Sequence, residues 1–153
     1  MDSKVSEYQS LVDKIKALTH NESDSIANMA NISAVLFNGL HDVNWLGFYL
    51  LKEKQLVLGP FQGNPACIRI PIGAGICGKA AETLQIQLVE NVHDFAGHIA
   101  CDAASNSEIV VPMLRNGQLV GVLDADSPLV SRFNEVDAEY LSKIVDILID
   151  TMD

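Results

Sequence analysis

The chain has 153 residues, 48% of them hydrophobic, and a formal net charge of -10. That is enough apolar material for one domain with a full core, and too much for a disordered chain. The negative balance argues against nucleic acid and anionic membranes as partners, and the apolar runs, short and broken by Gly, Pro or charge, exclude a membrane-spanning helix.

Val5, Tyr8, Leu11, Val12, Ile15 and Leu18 recur at three-or-four spacing, which predicts an amphipathic N-terminal helix and a surface that could serve a homodimer. No apolar run there resembles a secretion signal. The polar break from Asn21 to Ser25 supplies N-cap residues, and a second helix carries Ile26, Met29, Ala30, Ile32, Leu36, Phe37 and Leu40 on one face. Trp45 to Leu51 reads as a strand. KEKQ turns the chain through a slightly long loop into a partner strand from Gln55 to Gly59. Ala66 to Ile72 alternates as a strand. GAGICGKAAETL is a Gly-rich turn followed by about two turns of helix. Ile86 to Val92 is another strand, and His93 to Ser107 is a long irregular loop. Ile109 to Leu114 and Leu119 to Leu123 flank Asn116-Gly117, a strong hairpin signal because both central residues of a type I′ turn need positive φ. A last helix opens near Asn134. Hairpins make the sheet mainly antiparallel, so the class is α+β, with one domain over residues 1–153. Terminal helices would cover one sheet face, and the connections Gly59 to Gly78 and His93 to Ser107 the other. Loops of that length in a small domain are usually functional.

All three cysteines, Cys67, Cys77 and Cys101, fall in those connections. An odd number argues against a secreted disulfide scaffold and for a reducing, cytoplasmic setting. Structural zinc would want ligands at C-x2-4-C spacing, and none are present; no metal is expected. Cys67 and Cys77 could be small core residues beside strands. Cys101 has polar neighbours, Asp102, Ser105, Asn106 and Ser107, which suit an exposed, reactive thiol. His98 could act as its base or simply be a surface residue. GAGICG lacks the lysine and hydroxyl of a phosphate loop. Asp124 and Asp126 share one face of their strand. With 115 paired to 118 across Asn116-Gly117, Glu108 falls near residue 125, beside both aspartates. Clustered carboxylates raise at least one pKa, and a protonated carboxyl can donate to an oxygen that gains charge. Ordinary turn residues before Ser127-Pro128 are the plainer alternative.

The segments WLGFYLL, GPFQG, ACIRIPIGAGICG, GHIACDAASNSEIVVP and GVLDADSP, together with the order of elements, resemble the GAF-domain family, and within it the free methionine-(R)-sulfoxide reductases. The resemblance runs from about Trp45 to Phe133 and includes three cysteines in the arrangement of that family. It implies a GAF-like fold of about six strands, with N- and C-terminal helices on one face and active-site loops on the other. It also implies reduction of the free amino acid's sulfoxide. One cysteine becomes a sulfenic acid, a second condenses with it to a disulfide, and thioredoxin restores the dithiol as external reductant, with no bound cofactor. Carried over residue by residue, Cys101 is the nucleophile, Cys67 the main resolving cysteine and Cys77 a second one, with Cys77 as nucleophile the alternative. Glu108 and Asp126 bind and polarise the sulfoxide oxygen, Asp124 supports them or meets the substrate ammonium, and Trp45 and Tyr49 wall the methyl group. Rival readings are a GAF module that senses a small molecule without turnover, and a peroxide sensor using the same thiols.

Overall fold

A computed structural model of the chain describes residues 3–98 and 104–152. The chain order is α1 (Ser3–Thr19), α2 (Ser25–Gly39), β1 (Trp45–Lys52), β2 (Gln55–Gly63), β3 (Arg69–Pro71), α3 (Gly75–Thr83), β4 (Gln87–Val89), a single 3-10 turn (Val92–Asp94), β5 (Ser107–Arg115), β6 (Gln118–Ser127) and α4 (Glu135–Thr151). The strands form one sheet in the order β3-β2-β1-β6-β5-β4, and every neighbouring pair is antiparallel. The α+β class, the six strands and the inserted short helix are those the sequence predicts. Among the described residues no helix is long and apolar enough to cross a membrane.

Alternation along β1 divides the sheet into two faces. Leu46 and Phe48 point to a core shared with α1, α2 and α4, where Tyr8, Ile15, Ile32, Leu36, Leu141 and Ile144 are fully buried. Trp45 and Tyr49 point to a smaller cluster on the opposite face, which includes Ile76, Ala80 and Ala81 of α3. That face is therefore covered by a helix as well as by loops. Two glycines above it have positive φ, Gly73 at 89° and Gly75 at 63°, as a tight strand-to-helix turn requires. Gly78 lets α3 sit close, since a Cβ there would lie 2.6 Å from the Pro71 carbonyl oxygen.

Several local expectations are corrected. The β1–β2 connection is not a long loop: Lys52 pairs with Gln55, and Glu53 and Lys54 turn the chain with φ of 50° and 67°. Side chains other than Gly or Asn rarely take that geometry, so the turn had no sequence signature. The strands expected at 66–72 and 86–92 shrink to three residues each because both are edges, paired on one side only. Leu18 and Ile26, expected on buried helix faces, are exposed, while Thr19 turns inward and donates to the Ile15 carbonyl.

The helical layer is fastened by Asp137. Its side chain caps α4 by accepting from the Asn134 backbone N–H, in a reciprocal capping box. It also accepts from Lys4 Nζ at 2.6 Å and from Tyr8 Oη at 2.5 Å, and Arg132 lies at 3.6 Å. Asp137 is fully buried, so its charge depends on these partners. Asp137→Ala should destabilise the fold by about 3 kcal/mol, through lost partners for Tyr8 and Arg132 and a lost cap. Lys4→Ala, which removes a partly exposed partner, should cost under ~1 kcal/mol. Urea unfolding of the two variants checks both values.

Candidate active site

The site grows from the hairpin of β5 and β6. Asn116 and Gly117 have φ of 53° and 78°, as the type I′ turn demands, and Arg115 pairs with Gln118. Two residues on, the register slips: Leu114 pairs with Leu119, but Met113 pairs with Gly121, which leaves Val120 as a bulge. Without that bulge Glu108 would oppose Ala125 and point away from the aspartates, because a one-residue slip changes the face. With it, Glu108 lies directly opposite Asp126, and Asp126 lies directly opposite Trp45 on β1. Asp124 opposes Gly47 one step along the same face.

Glu108, Asp124 and Asp126 are 8%, 5% and 8% exposed. Burial, and then the charges of Asp124 and Asp126, push the Glu108 carboxyl well above the usual glutamate range. Burial also raises Asp124, although hydrogen bonds from Glu108, Asp126 and Cys77 pull it back down. Burial and crowding thus bias the Glu108 carboxyl toward its protonated form.

Cys77, in the first turns of α3, is a free, buried thiol. Its Sγ–H donates toward Glu108 Oε2 at 3.8 Å. Burial and the three carboxylates push the thiol well above its ordinary value, so the thiolate that a nucleophile requires is disfavoured there. Cys67 is held in a disulfide. Cys101, the predicted nucleophile, lies outside the described residues, as does Asp102.

A cavity joins these groups. Its polar wall is the carboxyl cluster, Cys77, Ser105 and the half-buried His98; its apolar wall is Trp45, Tyr49, Ala66, Ile70 and Ile76. Desolvation, and then His93, hold the His98 imidazole below its ordinary pKa. Trp45 stacks on Phe61 and Tyr49, with ring centres 5.2 and 5.9 Å apart. Trp45 Nε1–H donates to the Asn64 carbonyl at 3.1 Å, and Tyr49 O–H donates to the Cys67 carbonyl at 2.8 Å. The aromatic wall therefore carries the loop that bears Cys67. Burial, followed by Asp124, keeps the Tyr49 phenol protonated far beyond neutrality. Of the predicted residues, Trp45, Tyr49, Cys77, Glu108, Asp124 and Asp126 meet in the cavity lining. Ser105, which accepts from Asn44 Nδ2 at 3.4 Å, was missed as a site residue. Its only signal was a polar loop abutting a buried strand. Cys77, Glu108 and Asp124 also offer ligand atoms within 4.8 Å of one another, a group that could hold a metal ion. Ligand spacing along the chain could not reveal it, because the three residues come from three elements.

A six-stranded antiparallel sheet, with helices from both chain ends on one face and a cavity under a short helix on the other, is the architecture of a GAF domain. Residues 29–151 match the GAF domain family. The chain is 53% identical over 147 residues to Protein YtsP of Bacillus subtilis, covering 95% of this chain and 90% of that protein. It is 50% identical over 143 residues to the free methionine-R-sulfoxide reductase of Escherichia coli, covering 94% and 87%. Its structure superposes with a TM-score of 0.94 and 41% identity on the free methionine-R-sulfoxide reductase of Neisseria meningitidis in complex with its substrate, covering 99% and 91%. The chain belongs to the GAF domain family, in its free methionine-R-sulfoxide reductase branch.

The raised Glu108 carboxyl has a consequence for stability. A carboxyl whose folded pKa lies above its unfolded value favours the fold fully only below the unfolded value. That contribution is lost as pH rises toward the folded pKa. Glu108→Gln should therefore unfold at higher temperature than the native chain at neutral pH, by about 2–4 °C per kcal/mol relieved. The difference should vanish below the ordinary glutamate range. Thermal unfolding followed from acid to neutral pH measures it.

Proposed function

We propose that the chain reduces free L-methionine-R-sulfoxide to methionine, with its own thiols as the source of electrons and thioredoxin as the external reductant. The observation that carries this reading is the buried carboxyl cluster, with Glu108 held neutral, facing a cavity whose aromatic wall is bonded to the disulfide-bearing Cys67 loop. Substrate reduction by relatives that share most of the chain supports the same substrate.

In this reading Cys101 is the nucleophile. The likeness to the reductases gives Cys101 the attack and Cys67, which is held in a disulfide, the resolution. The Cys101 thiolate attacks the sulfoxide sulfur, the S–O bond breaks, methionine leaves, and the oxygen ends on the cysteine as a sulfenic acid. Glu108, with Asp126 beside it, supplies a proton to the oxygen, which would otherwise depart as a strong base. The Cys67 thiol then displaces water from the sulfenic acid and forms the disulfide, which the dithiol of thioredoxin takes over by exchange. Trp45 packs the substrate methyl, and Asp124 meets the ammonium group. Because the R and S isomers exchange oxygen and lone pair, only the R isomer points its oxygen at Glu108 while its methyl lies on Trp45. Cys77 serves as a second resolving thiol, slowed by the burial and negative charge that hold it protonated.

Thioredoxin-coupled NADPH oxidation tests this. Turnover is expected with the free R isomer, and not with the S isomer or a peptide-bound sulfoxide. Cys101→Ser should abolish it. Cys67→Ser should cut it by about tenfold or more while still releasing one methionine per chain in a single turnover. The further Cys77→Ser exchange should remove the residual cycling. Substrate binding without turnover in the native, reduced chain would instead favour a sensing GAF module.

A further inference from the structure

We infer that Cys77, Glu108 and Asp124 form a binding site for a thiophilic divalent cation, with Zn2+ as the ion that fits them best. The three side chains come from α3, β5 and β6, and their ligand atoms lie within 4.8 Å of one another, all buried. In a tetrahedral zinc site, metal–sulfur and metal–oxygen lengths of about 2.3 and 2.0 Å put ligand sulfur and oxygen about 3.5 Å apart. Cys77 Sγ and Glu108 Oε2 stand 3.8 Å apart, so a small side-chain adjustment suffices. One sulfur and two carboxylate oxygens suit zinc and its analogues, not Mg2+ or Ca2+, which take oxygen alone.

A second observation points to a ligand. Asp124 is 5% exposed, and its Oδ1 has no hydrogen-bond partner among the described residues, although the side chain lines the cavity. A buried carboxylate oxygen without a donor is costly, and a cation would satisfy it. No lysine or arginine stands among the described residues of the cavity lining, so no resident cation competes for the position. The cavity side leaves a fourth coordination position for water. An ion there would engage the same carboxyl groups assigned to the sulfoxide oxygen and ammonium. It would hold the enzyme in a reversibly closed state. That consequence rests on the reductase reading; the binding does not.

Cobalt tests the binding, because a thiolate–Co2+ bond gives a charge-transfer absorption that carboxylate or imidazole ligands do not. Two preparations of the full chain isolate Cys77 as the thiol donor: the oxidised native chain, with Cys67 in its disulfide, and a Cys67→Ser, Cys101→Ser double variant. Both should take up one Co2+ per chain with that absorption, and Zn2+ should displace it. Cys77→Ser in the double variant should abolish the band. Asp124→Asn, which relieves repulsion and so preserves the fold, should weaken Co2+ binding by at least about tenfold. Absence of the band in both preparations, or a band that survives Cys77→Ser, overturns the inference. So does binding unchanged in Asp124→Asn.

Discussion

Three carboxyl groups share one dry wall of the sheet, and no lysine or arginine of the described cavity lining balances them. Burying charge costs several kcal/mol, so the wall survives by keeping protons and by borrowing stability from elsewhere. The lender is the opposite face. There α1, α2 and α4 bury an apolar core in which Leu, Ile and Phe side chains are fully enclosed, each contributing roughly 1.5–3 kcal/mol. Asp137 fastens α4 to α1 and leaves the site face untouched. One sheet thus separates a stabilising layer from a strained chemical one.

β1 connects the two requirements of the site. On one side it pairs with β6 and fixes Trp45 opposite Asp126 and Gly47 opposite Asp124. On the other it pairs with β2, where Phe61 stacks on Trp45. From the same strand, the Trp45 and Tyr49 polar atoms reach the carbonyls of Asn64 and Cys67. Both acceptors are backbone groups, so the hold on the cysteine loop does not depend on the loop's side chains.

How much of this was legible in the sequence follows from what kind of force sets each feature. The Asn116-Gly117 turn and the Asn134 cap are local chemistry, and both stand where the residues require them. Helix faces and strand alternation are periodic, and they delivered the layers and most of the site lining. The bulge at Val120 is neither. It shows only in the pairing of β5 with β6, and it corrects the expected neighbour of Glu108 from residue 125 to Asp126. The turn at Glu53-Lys54 was hidden for a related reason: tertiary pairing of β1 with β2 imposes positive φ on residues that do not advertise it. The different states of Cys67 and Cys77 are set by distant neighbours, which no spacing along the chain encodes.

A thiolate nucleophile and an acid that protonates its substrate make opposing demands on one small cavity. Any carboxylate near the thiol raises the thiol's pKa by repulsion, as happens at Cys77. An acid that has already lost its proton cannot donate it. A carboxyl kept neutral by burial escapes both problems, since it holds the proton and exerts no repulsion. Glu108 is pushed toward that condition by burial first, and then by the charges of Asp124 and Asp126.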